Sequence, residues 1–195
     1  MIDRTALQDG THLPSDYREH QAVDLKKNRM SAIAIQAIFV VIAVVTVIVP
    51  LLFRVPLGTG WSPFLTIPVT LVAALVYMAL HEATHGVMLQ LITKVKPSYR
   101  VRFPFLTTGN RAYLTRRSAV LVALAPAVLW GVVLSAVLLV VPVDFRFTAY
   151  VVLALNFAGS SGDFVEAFVV TRLPRDALVK DDGDKVRVFL PQAAS

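Results

Sequence analysis

Residues 64–92 read FLTIPVTLVAALVYMALHEATHGVMLQLI, and the fold turns on how this stretch is read. It is long enough to cross a bilayer, since about 20 mainly apolar residues span the hydrocarbon. Yet it carries three ionisable side chains, His81, Glu82 and His85. A central Asp, Lys or Arg costs about 2.5–3.5 kcal/mol to insert, so such groups persist at membrane depth only with a compensating partner. The stretch therefore reads as a membrane helix built around a polar site.

Three more apolar runs surround it. Residues 30–53 have Gln36 and Thr46 as polar interruptions, and residues 118–141 are almost uniformly apolar. Residues 147–170 carry Asn156, Ser160, Ser161, Asp163 and Glu166. The chain is 56% hydrophobic and 16% charged, against about 45–50% and about 25% for soluble domains. Of its 19 Lys and Arg residues, only Arg54 and Arg146 lie outside the N-terminal segment, the 93–117 loop and the C-terminal segment. The positive-inside rule then puts both termini and that loop in the cytoplasm, which requires an even number of spans. The expected fold is an all-α integral membrane protein of the cell membrane. Its four transmembrane helices lie at about 30–53, 64–92, 118–141 and 147–170. A cytoplasmic tail is expected at 1–29, with some amphipathic helix, and another at 172–195. The first tail is too polar to begin a signal peptide.

The net charge of +6 is taken up by these flanking residues, and no basic groove with interleaved aromatics is visible, so nucleic acid is not expected as a partner. The bilayer is. With no cysteine, disulfides and thiolate metal sites are excluded, and any transition metal must be held by His and carboxylate. The 93–117 loop has a period-2 pattern, Tyr99, Val101, Phe103 and Phe105 alternating with Arg100, Arg102 and Pro104. Either this is a strand that turns at 107–110 around Gly109 and returns at 111–114, or it is an interfacial loop with aromatics in lipid. Pro104 would confine a strand to a sheet edge.

His81-Glu82-Ala83-Thr84-His85 is an HExxH pattern. Residues i and i+4 share a helix face, so both imidazoles can converge on one metal ion, while Glu82 stays close enough to act as a general base on water held there. A hydrogen-bonded His/Glu cluster tying helices together is the competing reading. Catalytic zinc takes three protein ligands and keeps an open position. His12 and His20 lie in the polar N-terminal segment and read as solvated. The better candidate for a third ligand is Asp163, with Glu166 as the alternative. Asn156, Ser160 and Asp163 fall at i, i+4 and i+7, one polar stripe. Counted from their outer ends, His81 and His85 lie about 25–31 Å in and Asp163 about 24 Å, at 1.5 Å per residue. Zn²⁺ with two neutral histidines, Glu82 and Asp163 is electrically neutral, whereas without a metal two carboxylates would be buried unpaired.

An HExxH within a span, followed two spans later by Asn and then Asp, resembles the site-2 protease class of intramembrane zinc metalloproteases. More closely, His81-Glu82-Ala83-Thr84-His85-Gly86, Ala125-Pro126 and Gly159-Ser160-Ser161-Gly162-Asp163 resemble a membrane zincin metallopeptidase family catalogued as a domain of unknown function. The resemblance covers about residues 71–173. It implies a three-span zinc peptidase core with His81, His85 and Asp163 as ligands, Glu82 as base and Asn156 near the substrate or oxyanion. It also implies a peptide or membrane-protein substrate, with the 98–106 strand pairing to it in extended form. Where site-2 proteases carry prolines between Asn and Asp, this chain has glycines and serines. The alternative function is a non-hydrolytic metal transporter or sensor. A transporter would more often show internal repeats and a polar path across both leaflets, whereas here the polar groups cluster at one depth.

Overall fold

The computed structural model describes residues 9–23, 28–102, 105–181 and 186–192. The protein is mostly helical, with a four-stranded sheet and a separate two-stranded one. Helices α1 (Arg29–Phe53), α2 (Pro63–Thr93) and α3 (Arg116–Val140) are long and apolar enough to cross a membrane. Their outward faces carry Val41, Leu51, Phe64, Leu75, Val132 and Leu139, all exposed, an arrangement suited to lipid rather than water. Asn28 starts α1 by accepting from the Met30 and Ser31 amides, and Pro63 sits in the first turn of α2, where its missing N–H leaves no helical bond unmade. α1 and α2 end on Arg54 and Lys94 in the left-handed region, at φ 49° and 59°.

The expected fourth span at 147–170 is two consecutive helices, α4 (Val143–Gly159) and α5 (Ser161–Thr171), which meet at Ser160. The Ser160 hydroxyl donates to the Asn156 carbonyl at 2.7 Å, so the break leaves that acceptor satisfied. Packing between the helices uses polar contacts at depth. Thr70 and Thr148 share a hydrogen bond of 2.8 Å between α2 and α4. Pro50 lies inside α1 and offers no N–H to the Thr46 carbonyl four residues back. The Tyr150 hydroxyl of α4 donates to that carbonyl instead, at 2.8 Å.

Both terminal segments, expected as tails, form strands instead, and this corrects the all-α expectation. Strand β1 (Tyr17–Val23) stands where an amphipathic helix was expected. It pairs antiparallel with β6 (Val186–Pro191), which pairs with β5 (Leu178–Asp181), which pairs with β4 (Leu114–Thr115). The sheet has an apolar interior, with Leu178, Val179, Val186, Val188 and Phe189 buried, and a half-buried sheet of β-branched residues suits pleated backbone better than helix. Leu114, Val179 and Val186 pack with Leu89, Ala119, Val122 and Val170 in one core that joins the sheet to α2, α3 and α5.

The loop between α2 and α3 does contain a hairpin, with a register that differs from expectation. β2 (Ser98–Arg102) pairs with β3 (Phe105–Gly109), Arg102 opposite Phe105 and Ser98 opposite Gly109. Residues 107–109, expected as turn, are strand, and Phe105 belongs to the returning strand. The expected return at 111–114 gives way to β4, which joins the other sheet. Thr107 and Thr108 are β-branched and favour strand over turn. The readings placed on Phe103 and Pro104 lie outside the described residues.

Candidate metal centre

α2 presents His81 and His85 one turn apart, with ring centroids 5.0 Å from each other. Asp163 reaches them from the first turn of α5, where the positive end of the helix dipole favours a carboxylate. His81 Nε2 lies 3.3 Å from Asp163 Oδ2, and His85 Nε2 lies 3.6 Å from Oδ1. One ligand atom from each of the three residues lies within 4.8 Å of the others. His85 and Asp163 each stand eight residues from the ends of their helices, Thr93 and Thr171, or about 12 Å at 1.5 Å per residue. Glu166, the alternative ligand, is not among the three.

The second nitrogen of each ring shows which way the first one faces. His85 Nδ1 lies 3.0 Å from the Val122 carbonyl oxygen, which can only accept, so Nδ1 carries the proton. His81 Nδ1 lies 3.0 Å from the Tyr77 hydroxyl. That hydroxyl donates its one proton to Asn156 Oδ1 at 2.7 Å, so His81 Nδ1 must also donate. In the neutral rings both Nε2 atoms then turn a bare lone pair toward Asp163, as metal-ligating histidines do. Asp163 Oδ2 is buried and has no hydrogen-bond partner. Although His81 Nε2 lies within ion-pair distance of it, the geometry is not that of a hydrogen bond. A buried carboxylate oxygen facing two imidazole lone pairs is costly by itself. A divalent cation satisfies all three groups, and the donor set is one that zinc takes.

Glu82 is held from outside α2. The Thr108 hydroxyl of β3 lies 2.9 Å from Glu82 Oε2 and 3.1 Å from the Glu82 carbonyl. Tyr99 of β2 lies across Gly86, where an added Cβ would overlap the hydroxyl and stand 2.7 Å from Cζ. The hairpin therefore seats on the motif through two contacts, Thr108 on Glu82 and Tyr99 on Gly86. On the other face of the motif, Trp130 Nε1 donates to Thr84 Oγ1 at 2.9 Å.

Asn156, expected near the substrate or oxyanion, is 0% exposed. Its Oδ1 accepts from Tyr77, and its Nδ2 donates to the Ala127 carbonyl at 3.0 Å. Both ends are committed, and the side chain stands behind His81 rather than at an open face. Gly131 makes this possible, because a Cβ there would come within 3.0 Å of Phe157 Cζ and 3.4 Å of Asn156 Nδ2. His12 and His20 are exposed and stand apart from the three-residue group.

Sequence reading missed Tyr77, Thr108 and the Val122 carbonyl. Tyr77 was within reach, because it precedes His81 by four residues on the same helix face. Nothing in the sequence pairs Thr108 with Glu82.

Two histidines of one helix and a carboxylate of another, turned on one point, make a candidate metal centre on a mostly helical scaffold. Residues 74–178, more than half of the chain, match the model of a family described as "Putative zincin peptidase". The chain belongs to that family. No curated protein and no solved structure matches it. Membership supports a zinc-dependent metallopeptidase, and the His-His-Asp group provides a place for the ion.

Proposed function

We propose that the protein is a membrane-embedded zinc metallopeptidase that hydrolyses peptide bonds in or near the bilayer, in the manner of site-2 proteases. His81, His85 and Asp163 hold the ion and Glu82 is the general base. The observation that carries this reading is the trio of inward-facing donors with their outer nitrogens already engaged, next to the one carboxylate of α2. When bound, zinc supplies Lewis acidity toward a carbonyl and acidifies water. Thr108 holds one oxygen of Glu82, so the carboxylate is aimed while its second oxygen takes a proton from water and passes it to the leaving amine. Asn156 acts as a positioning residue, locking the Tyr77 hydroxyl that orients His81. An extended substrate segment would add to the hairpin edge, its backbone groups pairing as a third strand. It must be unwound locally, because a helical peptide uses its carbonyls in its own hydrogen bonds.

The sheet supports a four-span reading of the topology, and the positive-inside bias supports placing both termini in the cytoplasm. Strands β1, β4, β5 and β6 share one hydrogen-bonded ladder, so the segments that bear them lie on one side of a bilayer. α1 and α2 separate β1 from β4, while α3 separates β4 from β5. In this reading the chain returns through α4 and α5. These have 17 and 11 residues, about 40 Å of helix at 1.5 Å per residue, against about 30 Å of hydrocarbon.

The test is a pair of variants of the full chain in detergent or nanodiscs. His81→Ala should lose bound zinc by elemental analysis. Glu82→Gln should keep it and lose turnover, and membrane proteins that accumulate in cells carrying Glu82→Gln are the candidate substrates. A metal transporter or sensor would be indifferent to Glu82→Gln, and that result would overturn the proposal.

A further inference from the structure

Helices at membrane depth offer few spare acceptors, because each backbone carbonyl is committed to the N–H four residues on. The carbonyl that accepts from His85 Nδ1 is an exception. It belongs to Val122, and four residues further along stands Pro126, inside α3 and fully buried. Proline has no N–H, so the Val122 oxygen is left without its helical partner.

From this arrangement we infer that Pro126 is a positioning residue for the metal centre: it vacates the Val122 carbonyl so that this oxygen can hold His85 by Nδ1 and turn Nε2 toward Asp163. The inference rests on the reading of His81, His85 and Asp163 as a metal site. Three observations support it independently of activity. The donor distance is 3.0 Å. The contact crosses between helices, from α2 to α3, at the level of the site. The same device recurs in α1, where Pro50 frees the Thr46 carbonyl and the Tyr150 hydroxyl takes it at 2.8 Å, away from the histidines.

With an N–H at position 126, the helical bond to Val122 would compete with His85 for one oxygen. The ring would be held less firmly, and a neutral His85 would lose part of its preference for the tautomer that presents Nε2. Removing a partner of this kind from a metal-ligating histidine lowers affinity about 10–100-fold. A carbonyl can still accept two bonds, so the lower end, about tenfold, is expected here.

The experiment titrates zinc into the purified full chain against a chromophoric chelator and, in parallel, melts the metal-free protein. Pro126→Ala and Pro126→Val both restore the N–H, and the second also refills most of the ring's volume. Both should bind zinc about tenfold more weakly, with metal-free Pro126→Val melting no lower than wild type, since removing a helix-interior proline favours the helix and the ring's volume is mostly refilled. Pro50→Ala, the same chemical change in α1, should leave zinc affinity unchanged. Unaltered affinity in the Pro126 variants, with His81→Ala still abolishing uptake, overturns the inference while sparing the site. Recovery in Pro126→Val alone, or a lowered melting point of that variant that tracks its affinity loss, assigns the effect to packing and overturns it too. If wild type takes up no zinc, or His81→Ala takes up as much, the metal site itself falls and this inference with it.

Discussion

Tyr77→Phe removes one oxygen atom and tests the outer half of the proposed centre. The Tyr77 hydroxyl accepts from His81 Nδ1 at 3.0 Å and donates to Asn156 Oδ1 at 2.7 Å. Phenylalanine keeps the ring, which is 5% exposed and packs edge-on against Trp130 at 6.4 Å, so shape is nearly conserved. What is lost is one partner for each of two buried polar atoms. Each orphaned group costs about 1–3 kcal/mol. Asn156 still donates to Ala127, so its share falls on folding stability. The share of His81 falls on metal binding, because the ring is free to rotate or to move its proton onto Nε2. At 1.4 kcal/mol per decade, a loss of about 1.4–2.8 kcal/mol is about 10–100-fold in zinc affinity, the range seen for outer partners of ligating histidines. Chelator competition reads this directly. A cycle with Asn156→Leu sharpens it: the two changes disable one chain of hydrogen bonds, so their effects on affinity should fall short of additive by about 0.5–3 kcal/mol. Wild-type affinity in Tyr77→Phe, or strict additivity in the cycle, would refute the reasoning.

Thr108→Val is expected to leave zinc content unchanged and to lower kcat about tenfold or more, because Glu82 loses the hydroxyl that aims it; steady-state kinetics beside elemental analysis separate the two. Gly86→Ala places a methyl group where Tyr99 lies and should destabilise the hairpin seat by about 1–3 kcal/mol, read as faster proteolysis or hydrogen exchange across residues 98–109. Since the chain has no cysteine, single Gly58→Cys and Arg175→Cys variants report topology cleanly. An impermeant maleimide applied to intact cells should label the first and spare the second; labelling of both contradicts the four-span path, and the reverse pattern contradicts its orientation.

What the sequence made legible was periodic. The i, i+4 spacing put His81 and His85 on one face, and residue counts from the span ends put Asp163 at their depth; those three are the residues brought together. Arithmetic of that kind fails wherever the period is interrupted. Asn156, Ser160 and Asp163 read as one stripe on a continuous helix, but the helix breaks at Ser160. Asp163 thus lies in the first turn of a new helix, whereas Asn156 belongs to the old one and bonds to Tyr77 and the Ala127 carbonyl. Alternation marked strand character in the 98–109 hairpin, but the glycine cue put the reversal at 107–110, whereas the chain turns between Arg102 and Phe105. The larger sheet was hidden for another reason. β4 has two residues and β5 has four, and β1 pairs with a strand more than 160 residues away. Short runs of that kind carry little local signal, and pairing over such separations is decided by tertiary packing.

The centre's supporting bonds share a physical origin. A membrane helix is closed to hydrogen bonding by its own ladder, so a site built between helices needs places where the ladder is opened or where a side chain reaches past it. α3 is opened by Pro126, and the exposed acceptor goes to His85. The α4–α5 helix is opened at Ser160, which gives Asp163 the N-terminal turn of a fresh helix. α2 itself has no opening at the motif, and there the partners come from outside: Tyr77 with Asn156 behind His81, and Thr108 above Glu82. The hairpin that supplies Thr108 is also the element proposed to receive substrate. In the proposed reading, an extended peptide added to that edge would lie against the hairpin whose Thr108 contacts Glu82, which would couple substrate docking to alignment of the base. A Thr108 variant should accordingly lose kcat and leave KM little changed, while a change that loosens Tyr99 from Gly86 should damage both.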